Sequence, residues 1–466
     1  MRSRDLTVGS VPKHLIIFAV PMLIGNLLQA SYALVNTFWV GNFIGPDAVG
    51  ATTVTSPMQF MMIAIANGAT LATSIMVAQY FGAKKPEEMQ KVIGNSFSLA
   101  MIIGLILTAV GLIFGDNLLG ALGVSTEQFG MASSYFRLLM IAFIPQFFGL
   151  LITAILRGIG DTITPLIFMA IGLGINAALD PLLIVGFGPF PRLGTNGAAI
   201  ATIISQVAGL TIAMVYLNRK NHVVALRFNK FILDKVTTLK IIKIGFPSML
   251  QQSVVSIGSA VVFSLVNFYG PDATNAFGGS GRLEMFIFLP ALSFGMAASA
   301  LTGQNIGANK LERVKSIYKW AAIFTFSITA VLSTIFFIFA KPILEILGFG
   351  KDLSSLALGI DYIHIVAPSY IFFALMQVSN GVINGSGKTF VTMMFSFFAI
   401  IVLRVPLALI FSRVLNLGIN GIWLSIGVAF GTIAMASFIY YKSGRWKKGR
   451  LIEPSQNSNK VSAITE

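Results

Sequence analysis

The sequence predicts an all-α polytopic membrane protein, with twelve transmembrane helices in two six-helix lobes related by a pseudo-twofold axis along the membrane normal. Three observations predict it. Hydrophobic residues make up 55% of the 466-residue chain and charged residues 11%, giving a mean hydropathy of +0.83. A typical soluble domain is about 25% charged, so this chain lacks the charge to cover a water-facing surface. Apolar runs of about 20 residues, enough to cross a bilayer as a helix, recur along the chain, and the second half repeats motifs of the first in order.

Twelve runs qualify as spans, at 15–40, 51–79, 94–114, 135–156, 165–185, 197–217, 241–268, 277–302, 320–340, 362–383, 391–411 and 421–441. The first, second, seventh and eighth exceed the bilayer thickness and are expected to tilt, bend or protrude. The opening MRSRDLTVGSVPKH leads into a span with no small-residue cleavage site, so no removable signal peptide is expected.

With twelve spans, alternate loops share a side. One set of loops and termini holds 25 of the 32 Lys and Arg residues. The other set holds Arg192, Lys341, Lys351 and Arg413, while Arg137, Arg282 and Arg404 fall within spans. That asymmetry places both termini in the cytoplasm. The net charge of +15 is therefore topological, and no nucleic-acid partner is needed to explain it.

QYFGAKKPEE at 79–88 pairs with QNIGANKLER at 304–313, and GPDAVGA at 45–51 with GPDATNA at 270–276. RGIGDT at 157–162 pairs with NGSGKT at 384–389, GTNGAA at 194–199 with GINGIW at 418–423, and Pro21 with Pro247. Collinear matches at a nearly constant offset mean duplication. The expected organisation is an N-lobe at 1–217, a basic linker at 218–243, a C-lobe at 244–441 and a basic tail at 442–466. Six spans per unit is an even number, so both halves enter from the same side. Two similar lobes flanking a cleft are a physical basis for alternating access.

Several chemistries are excluded or weak. Cysteine is absent, which removes disulfides, thiolate metal sites and cysteine nucleophiles. His14, His222 and His364 lie far apart, without metal-ligand spacing. NGSGKTF resembles a phosphate loop, but the pattern requires glycine where Val382 stands, and an apolar helix precedes it instead of a strand. A turn is the better reading. No cofactor and no enzymatic activity are expected. The abundant Met and Phe read mainly as lipid-facing and interhelical filler, with a minority, such as Met61, lining an adaptable pocket.

INAALDPLLIVG at 175–186 sets a carboxylate, Asp180, among small and apolar residues. Ionisable groups at membrane depth are costly and usually functional. Asn176 lies one turn before Asp180 on the same face, and Pro181 has no N–H, which frees the carbonyl of Ala177. Together they offer oxygens to a hard cation or a proton relay. The structural alternative is an acid neutralised by a neighbouring helix, for instance by Arg137. In the C-half, Glu284 sits two residues after Arg282 and reads equally as a local charge pair, a loop anchor or a substrate contact. Arg404, beside Pro406, occupies the repeat position of Leu179.

The repeat motifs, the Asn-x-x-x-Asp-Pro element and RGIGDT resemble the multidrug and toxic compound extrusion (MATE) family in its prokaryotic branch. The resemblance runs from about residue 11 to residue 441; its most specific pieces are GQNIGA at 303–308, RGIGDTITP at 157–165 and NLLQASYALVNTFWVG at 26–41. It implies a V-shaped transporter that exports cationic, amphipathic drugs or toxic organic cations against inward H⁺ or Na⁺, in the cell membrane and as a monomer. By resemblance, Asp180 and Asn176 match the fifth-helix cation site, Thr202 its sixth-helix ligand and Tyr135 the fourth-helix tyrosine of that network. Pro21 matches a first-helix proline proposed to reshape the N-lobe, and Gln29 a pocket glutamine.

One departure matters. The family's first helix usually reads Val-Asp-Thr, whereas this chain has Val35-Asn36-Thr37. Asn36 offers a carbonyl oxygen but neither titrates nor carries charge. A hard cation favours charged oxygen ligands, so a site with Asp180 as its one carboxylate weakens the case for tight Na⁺ binding. The alternative transport reading is a flippase for lipid-linked oligosaccharide, which would need several basic residues lining the cleft.

Overall fold

The computed structural model describes residues 4–186, 190–220, 233–349, 352–449 and 451. Within the expected linker, residues 221–232 lie outside the described residues, as do residues 450 and 452–466 of the expected tail.

All twelve expected spans are helices, and no strand occurs among the described residues. The N-lobe spans are α1 (Val11–Phe43), α2 (Asp47–Gly82), α3 (Pro86–Ala121), α4 (Thr126–Gly158), α5 (Ile163–Gly186) and α6 (Thr195–Arg219). The C-lobe spans are α7 (Lys235–Asn267), α8 (Pro271–Gly307), α9 (Leu311–Ile338), α10 (Leu353–Gly385), α11 (Thr389–Val414) and α12 (Ile419–Lys442). Most are longer than their apolar runs, because polar ends continue the helix. α3 starts at Pro86, whose missing N–H costs nothing at a first helical position. Glu87 and Glu88 in its first turn complement the helix dipole. α10 starts at Leu353 and not near 362, because the Asp352 carboxylate caps the backbone N–H groups of Ser354 and Ser355. Asp361 therefore lies inside a span.

The duplication extends to backbone conformation. Left-handed residues recur in pairs: Gly45 and Gly270 (φ 117° and 93°), Lys84 and Asn309 (55° and 61°), Gly160 and Gly387 (85° and 88°), and Gly194 and Gly418 (both 59°). Each pair belongs to one matched motif, so the repeated letters encode repeated turns. Near Pro21 and Pro247 the repetition includes a hydrogen bond. The Thr162 hydroxyl donates to the carbonyl of Ile17, which Pro21 leaves without its helical donor. In the C-lobe, the Thr389 hydroxyl donates to the carbonyl of Ile244, the neighbour of the Lys243 carbonyl that Pro247 leaves without its helical donor.

The lobes meet mainly where α2 packs on α7 and α8, and α1 on α8. At the end bearing most of the basic loops, two fully buried glutamines clamp them reciprocally. Gln304 donates to the carbonyl of Gly158 (2.9 Å) and accepts from the backbone N–H of Leu6 (2.9 Å). Gln79 donates to the carbonyl of Gly385 (3.1 Å) and accepts from the N–H of Leu451 (3.1 Å). The adjacent glycines permit the approach: a Cβ on Gly82 would lie 2.0 Å from the carbonyl oxygen of Gln304, and one on Gly307 1.9 Å from that of Gln79. Bonds of this kind contribute about 0.5–1.5 kcal/mol each. Four of them can bias a conformational population and still be broken in a cycle.

Candidate functional site

A cavity of about 470 Å³ lies inside the N-lobe, lined by α1, α2, α4, α5 and α6. Along α4 it runs from Tyr135 to Arg157, roughly 33 Å of helix at 1.5 Å rise per residue. Five of the expected residues line it together: Gln29 and Asn36 from α1, Tyr135 from α4, Asn176 from α5 and Thr202 from α6. Its polar surface combines amides and hydroxyls: Asn26, Gln59, Gln146 and Gln206 add to Gln29, Asn36 and Asn176, beside threonine and serine hydroxyls such as those of Thr52, Thr153 and Ser205.

Asp180 stands behind this wall, one turn beyond Asn176 and fully buried. Neither of its carboxylate oxygens meets a donor, and the amide oxygen of Asn176 is likewise buried without one. The Asn176 amide nitrogen is held by the hydroxyl oxygens of Ser205 (3.2 Å) and Thr202 (3.5 Å). These contacts aim the amide nitrogen at α6 and leave three unpaired oxygens on one face of α5. Buried polar atoms without partners are rare in native proteins, and here they cluster at the position where the sequence placed a cation or proton site. Arg137 does not neutralise Asp180. It pairs instead with Asp116 near the far end of α3, in an exposed ion pair.

Local backbone explains how Asp180 is set there. Beyond Pro181 the helix widens into a π turn over Leu182–Gly186, an irregularity common at functional sites. The carbonyls of Leu183 and Ile184 accept from the N–H groups of Leu193 and Gly194. α6 then starts in contact with this turn, since a Cβ on Gly197 would lie 2.3 Å from the Leu183 oxygen. Gly421 meets the Phe411–Ser412 backbone in the C-lobe equivalently. The Gly-x-Asn-Gly motifs thus tie each fifth span to the start of the sixth. Tyr135 packs in one apolar cluster with Val40, Ile184, Ala198 and Ala199, beside the same turn.

Three expected pocket residues do not line this cavity. Met61 is 57% exposed and points away, while its neighbour Met62 faces inward; one residue along a helix turns a side chain by about 100°. Glu284 accepts hydrogen bonds from the hydroxyls of Tyr362 and Tyr370 (3.1 Å to Tyr370), inside the C-lobe. Its sequence neighbour Arg282 is exposed and makes no ion pair with it. Arg404 belongs to the same C-lobe region, and its Nε is buried without a hydrogen-bond partner. Pro21 lies inside α1 as expected. Sequence reading missed several cavity residues, Asn26, Gln59, Gln146 and Gln206 among them, and also Arg157, assigned to a loop because the apolar run ends at 156. The helix continues to Gly158 and brings the guanidinium to the cavity. No cluster of three or more His, Asp or Glu residues suited to a metal occurs among the described residues.

A sequence profile of the MatE family matches residues 21–182 and 247–410, one segment in each half. The chain is 32% identical to the probable multidrug resistance protein YoeA of Bacillus subtilis (strain 168), over 95% of this chain and 96% of that one. It is 31% identical to the probable multidrug resistance protein YpnP of the same organism, over 97% and 99%. Among solved structures, it is similar to an outward-facing conformation of a multidrug resistance MATE family transporter of the MOP superfamily. That similarity has a TM-score of 0.88 at 25% identity, over 97% of this chain and 99% of the other.

Proposed function

We propose, because the chain belongs to the MATE family, that it exports amphipathic drug-like compounds, organic cations among them, in exchange for inward H⁺ or Na⁺, with H⁺ the better fit. The observation that carries the reading is the unpartnered carboxylate of Asp180, buried directly behind the amide-lined cavity. A proton neutralises a lone carboxylate with one bond. Na⁺ needs several oxygen ligands, preferably charged ones, and Asn36 takes the place of a second carboxylate.

In this mechanism Asp180 gains and loses the coupling proton. The change in its charge alters how α5 packs against α1 and α6, through the π turn after Pro181. Cavity shape and proton occupancy are thereby linked, as alternating access requires. The Gln79 and Gln304 clamp closes the basic-rich end, which by the positive-inside rule faces the cytoplasm. The clamped state thus corresponds to one open to the outside.

The flippase alternative asks for several cations in the cavity. Among the described residues Arg157 is the one basic residue that lines it, which disfavours that reading. The test is expression in a bacterium lacking its own efflux pumps. Wild type raises tolerance to ethidium several-fold and Asp180→Asn does not. Equal tolerance from the two would remove Asp180 from the mechanism.

A further inference from the structure

The charge pattern of the cavity carries a statement about substrate chemistry. Among the described residues no carboxylate lines it, and its one charged lining group is the guanidinium of Arg157 at the basic-rich end. That guanidinium has no anion of its own, since no ion pair among the described residues involves it. Its polar contact is a weak one, to the sulfur of Met296 across the lobe interface at 3.9 Å. The nearby Asp161 is fully committed, accepting from the backbone N–H groups of Ile163 and Thr164 and from the Thr164 hydroxyl. A guanidinium held inside the protein without a carboxylate is expensive, and one facing a polar cavity recovers that cost when an anionic ligand arrives. Its planar fork suits carboxylate and phosphate oxygens.

We infer that Arg157 is an anion-binding anchor at the inner end of the cavity, selecting amphipathic compounds that bear a carboxylate or phosphate group. The surrounding amides serve the rest of the molecule, because each both donates and accepts. Neutral and cationic compounds still enter but make no use of this end. The inference rests on the reading of the cavity as the substrate site and narrows its ligand class.

Rhodamine B, which carries a free carboxylate, and its ethyl ester, which does not, form the test pair. Their affinities for the purified full-length protein are measured by fluorescence anisotropy for wild type, Arg157→Gln and Arg157→Lys. The expected result is that Arg157→Gln weakens rhodamine B at least about tenfold, the loss of one charge-assisted hydrogen bond, and shifts the ester by less than about twofold. Arg157→Lys keeps the charge and retains most of the rhodamine B affinity. Equal weakening of both dyes would make Arg157 a structural residue, and no weakening of either would make it a bystander; each overturns the inference. Export of the ester by wild-type vesicles tests the exporter reading separately, because the ester does not depend on Arg157.

Discussion

Asp180 and Glu284 are both carboxylates inside spans, and their surroundings differ in a way that supports opposite proposed roles. One oxygen of Glu284, Oε1, accepts from two tyrosine hydroxyls, whereas neither oxygen of Asp180 meets a donor. A satisfied buried group stabilises, and an unsatisfied one is a reservoir for chemistry. Removing Glu284 strands two buried donors, each costing about 1–3 kcal/mol. Glu284→Ala is therefore expected to lower the thermal unfolding midpoint by several degrees. Dye export per folded molecule should remain near wild type, as measured in vesicles normalised for protein content. Loss of export at unchanged stability would move Glu284 into the mechanism. Asp180 was legible from sequence because a carboxylate beside a proline in an apolar run has few structural uses. The partners of Glu284 were not, since Tyr362 and Tyr370 lie far away in sequence and only the packing of α8 against α10 brings them together.

Between elements, what matters is how closely helices approach. Gly82 and Gly307 sit where the two lobes touch backbone to backbone, and neither has room for a methyl group. Gly307→Ala, which any helix accepts locally, is expected to hold the lobes apart at the basic-rich end. Export should then fall at least about tenfold with little loss of helicity, read by dye efflux alongside circular dichroism. Normal export would mean that the glutamine clamp does not need to close. The sequence announced these glycines through the QYFGA and QNIGA repeat, although the reason for them is a contact between halves that no single segment reveals. Met61 and Arg157 mark the same limit from the other side. A one-residue error in phase or boundary, invisible to hydropathy, moves a side chain from the wall of a cavity to the lipid or the reverse.

For the whole molecule, composition alone demanded a membrane, and the repeat demanded two lobes. One large apolar cluster lies mostly in the N-lobe and another in the C-lobe, with a third joining α1 to α8 and α9, and the loop charges predict an orientation. The lack of cysteine makes orientation directly measurable, since any introduced thiol is the only one. Ser443→Cys, just past α12, is expected to react with an impermeant maleimide only in everted vesicles, and Ser354→Cys, at the opposite end, only in intact cells. The reverse pattern would invert the topology and with it the direction of transport. Hydropathy could not reveal that the cavity belongs to one lobe instead of lying symmetrically between two. Duplication makes the lobes look equivalent, while Asp180 and the residues lining this cavity belong to the first.

The proposed role of Asp180 is to couple export to an ion gradient. Ethidium accumulation in everted membrane vesicles tests it most directly, with a proton gradient or a Na⁺ gradient imposed in turn, for wild type and Asp180→Asn. Accumulation is expected in wild type under the proton gradient, little under Na⁺ alone, and none above background in the variant under either. Gradient-driven accumulation by Asp180→Asn equal to that of wild type would contradict it and make the carboxylate in INAALDPLLIVG a structural residue.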